Sequence, residues 1–239
     1  MKNILFATTT LVAFAGTSFA GELVNSGPNT ITLKGSAEIG FKSLDTGAEN
    51  PPNNGKIRFH HDMDMDITFS GSNDAGLNFG ADIDLDEVAN SAISDNAGPH
   101  TVFLSGDFGT LTMGDTDGAL DQALTEIAVG STIDDAPEHG GYSGNSALDG
   151  TFDGQILRYD YSFQDFTVSA SAELDDTSED TSPVLGVGVA YSADLGGADV
   201  GIGLGYQTAE VLDASTADPE DTLRQSVFGG SLTVSSSGF

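Results

Sequence analysis

Ile57-Arg-Phe-His-His-Asp-Met-Asp-Met-Asp-Ile-Thr-Phe69 decides the fold. Ile57, Phe59, Met63, Met65, Ile67 and Phe69 share one parity, and Arg58, His60, Asp62, Asp64, Asp66 and Thr68 share the other. His61 is the one interruption on the apolar side. A period of two is that of a strand, whose side chains point alternately to opposite faces. The segment therefore reads as a strand with one apolar and one charged face.

The same pattern extends in both directions. Upstream, Ile31, Leu33, Ala37, Ile39 and Phe41 alternate with Thr32, Lys34, Ser36, Glu38 and Lys42, after a polar lead-in over residues 21–29. Downstream of a turn over 70–76, Leu77, Phe79, Ala81, Ile83 and Leu85 alternate with Asn78, Gly80, Asp82, Asp84 and Asp86. Short strands follow at 101–104 and 110–114. Beyond a long acidic segment come Leu157 to Phe163, a two-residue turn at Gln164-Asp165 of hairpin type, and Phe166 to Leu174. The last three runs centre on Val187, Ile202 and Leu232, with a loop over 207–221 before the final one. Ten strands are expected, and their connections alternate between long and short, so that the long loops gather at one end.

Composition narrows the class. The chain has 239 residues, no Cys, and 7 Lys+Arg against 37 Asp+Glu, a net charge of -30. Nucleic-acid binding requires a basic footprint and is excluded on that ground. Neither a disulfide framework nor a thiolate zinc site can form. Residues 1–20 read as a secretory signal: Lys2, an apolar run from Ile4 to Ala15, and Ser18-Phe19-Ala20 before an expected cleavage after Ala20. No later run is long and apolar enough to cross a bilayer as a helix.

An export signal, period-two strands of about ten residues and uneven loops are the signature of an outer-membrane β-barrel. The apolar parity supports this, since its in-strand positions contain no Asp, Glu, Lys or Arg. In lipid a Lys or Arg there would cost roughly 2–4 kcal/mol at the midplane. Arg224 has the apolar parity but is expected at a strand end, and Tyr159, Tyr161, Phe163, Tyr191 and Tyr206 fall near strand ends, as an aromatic girdle requires. A secreted, acidic β-rich protein, such as a calcium-binding surface or adhesion protein, is the alternative, distinguished by solubility without detergent.

From Val102 the chain reads Val-Phe-Leu-Ser-Gly-Asp-Phe-Gly-Thr-Leu-Thr-Met-Gly-Asp115 and continues into the long acidic segment. Together with the export signal, this stretch resembles the general bacterial porins of the alphaproteobacterial, Rhodobacter-like type. The resemblance implies an all-β, transmembrane, antiparallel up-and-down barrel of about sixteen strands, assembled as homotrimers in the outer membrane of a Gram-negative bacterium. It implies a passive channel for small hydrophilic solutes and ions, with no catalysis and no cofactor. It also implies that a long third loop folds inward and narrows the pore. An infolded loop needs a lumen wider than a barrel of about eight strands provides. The chain therefore reads as a C-terminally truncated barrel domain over 21–239, with a complete smaller barrel as the alternative.

The acidic segment, about 115–152, is the candidate constriction loop. Leu120, Ala123, Leu124 and Ile127 have the spacing of one helix face, with Asp117 as the expected cap and Gly130 as the expected stop. Asp115, Asp117, Asp121, Glu126, Asp134, Asp135 and Glu138 would line the constriction and favour cations; the plain alternative is a solvated acidic surface loop. Lys34, Arg58 and Arg158, of lumen parity, would form an opposing basic wall. Gly186, Gly188, Gly201, Gly203 and Gly205 form a bare stripe of lumen parity against which the loop could pack. A turn centred near Asn73 would set Asp62 opposite Asp84 and Asp64 opposite Asp82. Such pairs are either a water-screened acidic wall or a structural Ca²⁺ site. His60 and His61 point to opposite faces of a strand and cannot converge on one ion. His61, of lipid parity, is expected at a subunit contact.

Overall fold

The computed structural model describes residues 19–26, 29–43, 57–85, 99–129, 140–142, 145–152, 154–174, 182–212 and 222–236, with only the backbone described at 19–26, 127–129 and 140–142 and at Glu38, Lys42, Ser43, Arg58, His60, Asp62 and Leu212. In chain order these form β1 (Phe19–Ser26), β2 (Asn29–Ser43), β3 (Ile57–Ser72), β4 (Asn78–Asp84), β5 (His100–Gly106) and β6 (Gly109–Asp115). Helix α1 (Ala119–Ala123) and the short strands β7 (Ile127–Val129) and β8 (Gly140–Tyr142) come next. The chain returns through β9 (Gln155–Phe163), β10 (Phe166–Glu173), β11 (Val184–Asp194), β12 (Ala198–Leu212) and β13 (Thr222–Ser236). Eleven strands pair in one sheet, in the order β1-β2-β3-β4-β5-β6-β9-β10-β11-β12-β13; β7 and β8 pair separately. Every pairing is antiparallel between chain neighbours, and only α1, β7 and β8 are bypassed. The fold is thus all-β, antiparallel and up-and-down, with an inserted segment that carries the short helix.

The ten expected strands are present, and β1 adds to them. Phe19 and Ala20, expected as the end of the export signal, and residues 21–26, expected as a polar lead-in, pair with β2 from Phe19↔Gly35 to Ser26↔Asn29, with a bulge between Glu22 and Val24. Their side chains lack a clean period, but β2 offers an open row of backbone donors and acceptors. A second correction concerns β12 and β13, which pair from Ala198↔Ser236 to Leu212↔Thr222, well into the expected 207–221 loop.

The sheet carries its apolar side chains on the outside. Phe59 is 84% exposed, Phe228 73% and Ile39 63%. Met63, Leu157, Val168, Leu185, Val187, Ile202, Leu204 and Leu232 are exposed on the same parity. A water-soluble sheet would bury this face, whereas a lipid-facing wall leaves it bare. The buried apolar residues lie on the opposite face, where Leu148 of the inserted segment packs on Val184 and Ala209, with Phe152, Val211 and Val227 around them.

The β3–β4 register corrects the expected carboxylate ladder. The hairpin pairs Asp66 with Asp84 and Thr68 with Asp82. On its other side β3 pairs Asp64 with Ser36 and Asp62 with Glu38. Asn73 Oδ1 accepts from the Ala75 and Leu77 N–H groups, which holds the turn beyond Ser72 and keeps 70–72 in the strand. The shift is even, so each side chain keeps its face while its partner changes. Thr68 Oγ1 donates to Asp82 and Ser36 Oγ donates to Asp64, both at 2.5 Å. Lys34, Asp66 and Asp84 fall in one row across three strands. Asp62 opposes neither Asp82 nor Asp84, and Asp64 is hydrogen-bonded to a hydroxyl, so the pairs expected to hold Ca²⁺ do not form.

Candidate functional site

The Gly-Asp-Phe-Gly turn delivers the chain to the site. Gly109 adopts φ +107, and a Cβ there would sit 2.5 Å from the Asp160 carbonyl oxygen of β9. Only glycine satisfies both conditions. β6 then ends at Asp115, and the chain crosses the inward face of β10, β11 and β12 as α1.

The helix lies against the stripe of glycines. A Cβ at Gly188 would collide with the Ala119 carbonyl oxygen, and one at Gly203 with that of Ala123. A Cβ at Gly205 would be 2.9 Å from Leu120 Cα, and one at Gly186 would be 3.5 Å from Ala119 Cβ. Gly201 meets only Thr233 and lies outside the seat. Gly229 on β13 completes it: a Cβ there would be 2.5 Å from Leu124 Cδ1. Ala119, Leu120 and Ala123 are buried in consequence.

The helix is shorter than its spacing predicts, and other groups cap it. Leu124 is already extended (φ -96, ψ 151), so the helix stops at Ala123, and Ile127 belongs to β7. Asp117 does not cap it. The N-cap is Gly118, without a side-chain cap of its own. The free N–H groups of a helix start need acceptors, and distant residues supply them. Gly118 N–H donates to Asp149 Oδ2 at 2.8 Å and Ala119 N–H to Ser171 Oγ at 2.8 Å. Past the helix, Thr125 N–H donates to Ser231 Oγ at 3.0 Å. Non-local acceptors replace a local cap because the helix lies on the sheet.

The return limb is fixed by two buried side chains. Gln207, 0% exposed, accepts from Leu148 N–H at 3.0 Å and donates to Asp149. Glu173, 1% exposed, accepts from Gly150, Phe152 and Gly154 N–H at 3.1, 3.0 and 2.8 Å. Neither was singled out by sequence. The available signal was parity, since both lie on the lumen side in line with the glycines.

Arg158 is the third tie. Its Nη1 donates to the Asp117 carbonyl oxygen at 2.6 Å and to Thr116 Oγ1 at 3.2 Å. Its Nε pairs with Asp160 at 2.9 Å, and Asp160 also accepts from Ser169 at 2.6 Å. Arg158 therefore lies beneath the first turn of the loop and holds it, rather than opposing it from across a lumen. Lys34 is exposed on β2, and of Arg58 only the strand position is described.

Among the expected loop carboxylates, Asp117, Asp121 and Glu126 gather with Asp149. Burial first, then the neighbouring Asp117, Glu126 and Asp149 charges, push the Asp121 carboxyl up to about 6, against the pull of Arg158. Burial likewise raises Asp149, opposed by its hydrogen bonds from Gly118 and Gln207. Asp115 stands apart at the end of β6, opposite Gln155 and on the parity of Leu111 and Met113. Asp134, Asp135, Glu138 and Gly130 lie outside the described residues. Among the described residues no group of three or more His, Asp or Glu side chains is placed to hold a metal ion.

A family model described as Gram-negative porin matches residues 7–239. The chain belongs to this family. A porin of Rhodobacter capsulatus is 34% identical over 164 residues, which cover 64% of this chain and 51% of that protein. The chain thus spans about half the length of this curated relative. A solved porin structure aligns with a TM-score of 0.47 at 21% identity, covering 87% of this chain and 79% of that one. Porins are channels rather than enzymes, and the described side chains are arranged to hold a loop in place.

Proposed function

We infer that this chain forms the wall and the constriction of a water-filled outer-membrane channel through which small hydrophilic solutes diffuse passively, with a preference for cations. The observation that carries this reading is the division of the sheet into an exposed apolar face and an inward face across which the acidic segment is laid. Lipid covers the first face and water fills the space beyond the second. A charged constriction selects by radius and by field. Asp117, Glu126 and, from the return limb, Asp149 lie close enough to Asp121 to raise its carboxyl, while Arg158 is occupied by Asp160 and the loop backbone, which favours cations.

The channel is proposed to work as a homotrimer, with His61 and its exposed neighbours on β3 near a subunit contact. Export is proposed through a signal cleaved after Ala20. That cut would remove the first two positions of β1 and keep its pairing from Gly21↔Leu33 onward. No cofactor is proposed.

Planar-bilayer recordings under a salt gradient test this reading. Replacing Asp115, Asp117, Asp121 and Glu126 together with the corresponding amides should reduce the reversal potential toward that of a non-selective pore, with Asp115 contributing least. An unchanged reversal potential would remove the loop from the ion path. A chain that stayed soluble and monomeric without detergent would remove it from the membrane.

A further inference from the structure

We propose that Glu173 is a positioning residue that sets the aperture of the channel without touching the solute, by clamping the return limb of the loop to the wall. The proposal rests on the constriction reading above. Glu173 is the last residue of β10 and is 1% exposed. A carboxylate buried so deeply in a chain of net charge -30 needs compensation, and no Lys or Arg is within salt-bridge distance of it among the described residues. Its compensation is the loop backbone itself. Oε1 accepts from Phe152 and Gly154, and Oε2 accepts from Gly150.

Those three donors alternate along a five-residue stretch whose ends, Gly150 and Gly154, both have positive φ, at +74 and +79. The backbone is thus curled so that alternate N–H groups converge, the arrangement that forms an anion-binding concavity. Here the anion is a side chain of the wall. The clamp also reaches the helix, because Asp149, next to Gly150, caps α1 at Gly118 and is held by Gln207. Glu173 therefore restrains the limb that carries the cap of the helix lying across the inward face. Releasing the carboxylate frees Gly150, Phe152 and Gly154, while Gln207 still holds Leu148 and Asp149 and Arg158 still holds Asp117.

The geometry sets a graded outcome. Glu173→Gln keeps one acceptor oxygen, enough for the Phe152 and Gly154 donors, but turns an amide N–H₂ toward Gly150 N–H. Glu173→Ala removes all three acceptors. In the detergent-solubilised full chain, amide hydrogen exchange over 145–154 should quicken from wild type to E173Q to E173A, while exchange over 185–204 of β11 and β12 stays as in wild type. In bilayers, single-channel conductance and the size limit for neutral sugars should rise in the same order. Should E173A fail to fold, the E173Q and wild-type pair makes the same comparison. Unchanged exchange over 145–154 overturns the clamp, and faster exchange with unchanged conductance overturns its control of aperture. The amide-substituted loop separates this proposal from the reading beneath it. If that loop shifts selectivity while the Glu173 variants conduct as wild type, the control of aperture is wrong and the constriction stands. If none of them differs from wild type, the constriction reading fails and the clamp with it.

Discussion

The inward faces of β2–β4 and of β9–β12 have the same parity and different surroundings. On β2–β4 the inward positions are Lys34, Asp64, Asp66, Asp82 and Asp84, partly or fully exposed, each opposite another charge or a hydroxyl. On β9–β12 they are Ile156, Arg158, Ser169, Ser171, Glu173, Gly186, Gly188, Gly203, Gly205 and Gln207, mostly buried. Alternation determines which face a residue joins, but not what covers that face. Where water covers it, charged residues suffice. Where the chain's own backbone covers it, side chains must shrink to hydrogen at the closest approaches and become buried acceptors at the ties. The same contrast explains why Val184 and Ala209, apolar residues of polar parity, are accommodated: both pack under Leu148 of the inserted segment, at 1% and 3% exposure.

The largest effect should come from removing Arg158, the tie beneath the first turn of the loop on the covered face. Arg158→Ala deletes two bonds to the loop and leaves Asp160 unpaired at a site where the two side chains are only 11% and 17% exposed. Breaking a buried pair of this kind costs about 3 kcal/mol, which urea unfolding in detergent micelles would register. The Arg224–Glu210 pair is just as short, at 2.8 Å, but lies at the ends of β12 and β13 with Arg224 67% exposed. Arg224→Ala should leave unfolding unchanged within error. Equal effects of the two substitutions would mean that cover is not what distinguishes the two sites.

Filling the seat should come next. Gly203→Phe puts a ring where the Ala123 carbonyl lies, so the helix must lift toward the lumen. Overpacking of this kind costs roughly 1–3 kcal/mol, and conductance should fall or close. Gly201→Phe, two residues along the same strand and on the same face, meets only Thr233 and should leave the loop in place. Similar conductance in the two variants would place the loop elsewhere.

Much of this arrangement was legible in the sequence. Parity placed Ile39, Phe59, Met63, Val187, Ile202 and Leu232 on the outward face, and the glycine stripe marked the seat of the loop at four of its five positions. What escaped was determined by contacts across the fold. β12 runs on to Leu212 because Ala209 and Val211 pack beneath Leu148 and Phe152, more than fifty residues earlier. The β3–β4 turn was misplaced because Ser70, Gly71 and Ser72 carry a turn composition, while Asn73 closes the turn beyond them. The helix cap was assigned to Asp117, its nearest acidic neighbour in sequence, and is supplied by Asp149 and Ser171. Glu173 and Gln207 passed unnoticed because a single polar residue on a polar face carries no local sign of a distant backbone partner.

The smallest effect sharpens the comparison through protons. Asp121 is on the loop, part-buried among Asp117, Glu126 and Asp149, and its carboxyl is pushed up to about 6. A carboxyl whose folded value is raised binds its proton more tightly in the folded loop than in the unfolded chain. The seat is therefore held most firmly below the ordinary value of 3.8, and this contribution is lost as pH rises through about 6. Selectivity moves the same way for a different reason: as pH falls through about 6, the loop loses one negative charge and cation preference should drop, before the ordinary carboxylates titrate. Reversal potentials recorded from pH 8 to pH 4.5 should show that early step in the wild type and lack it in Asp121→Asn. A step that survived the substitution would assign the proton to another loop carboxylate, with Asp149, itself raised by burial, the next to replace. A profile with no step above the ordinary carboxylate range would mean that the loop is as well solvated as the open wall.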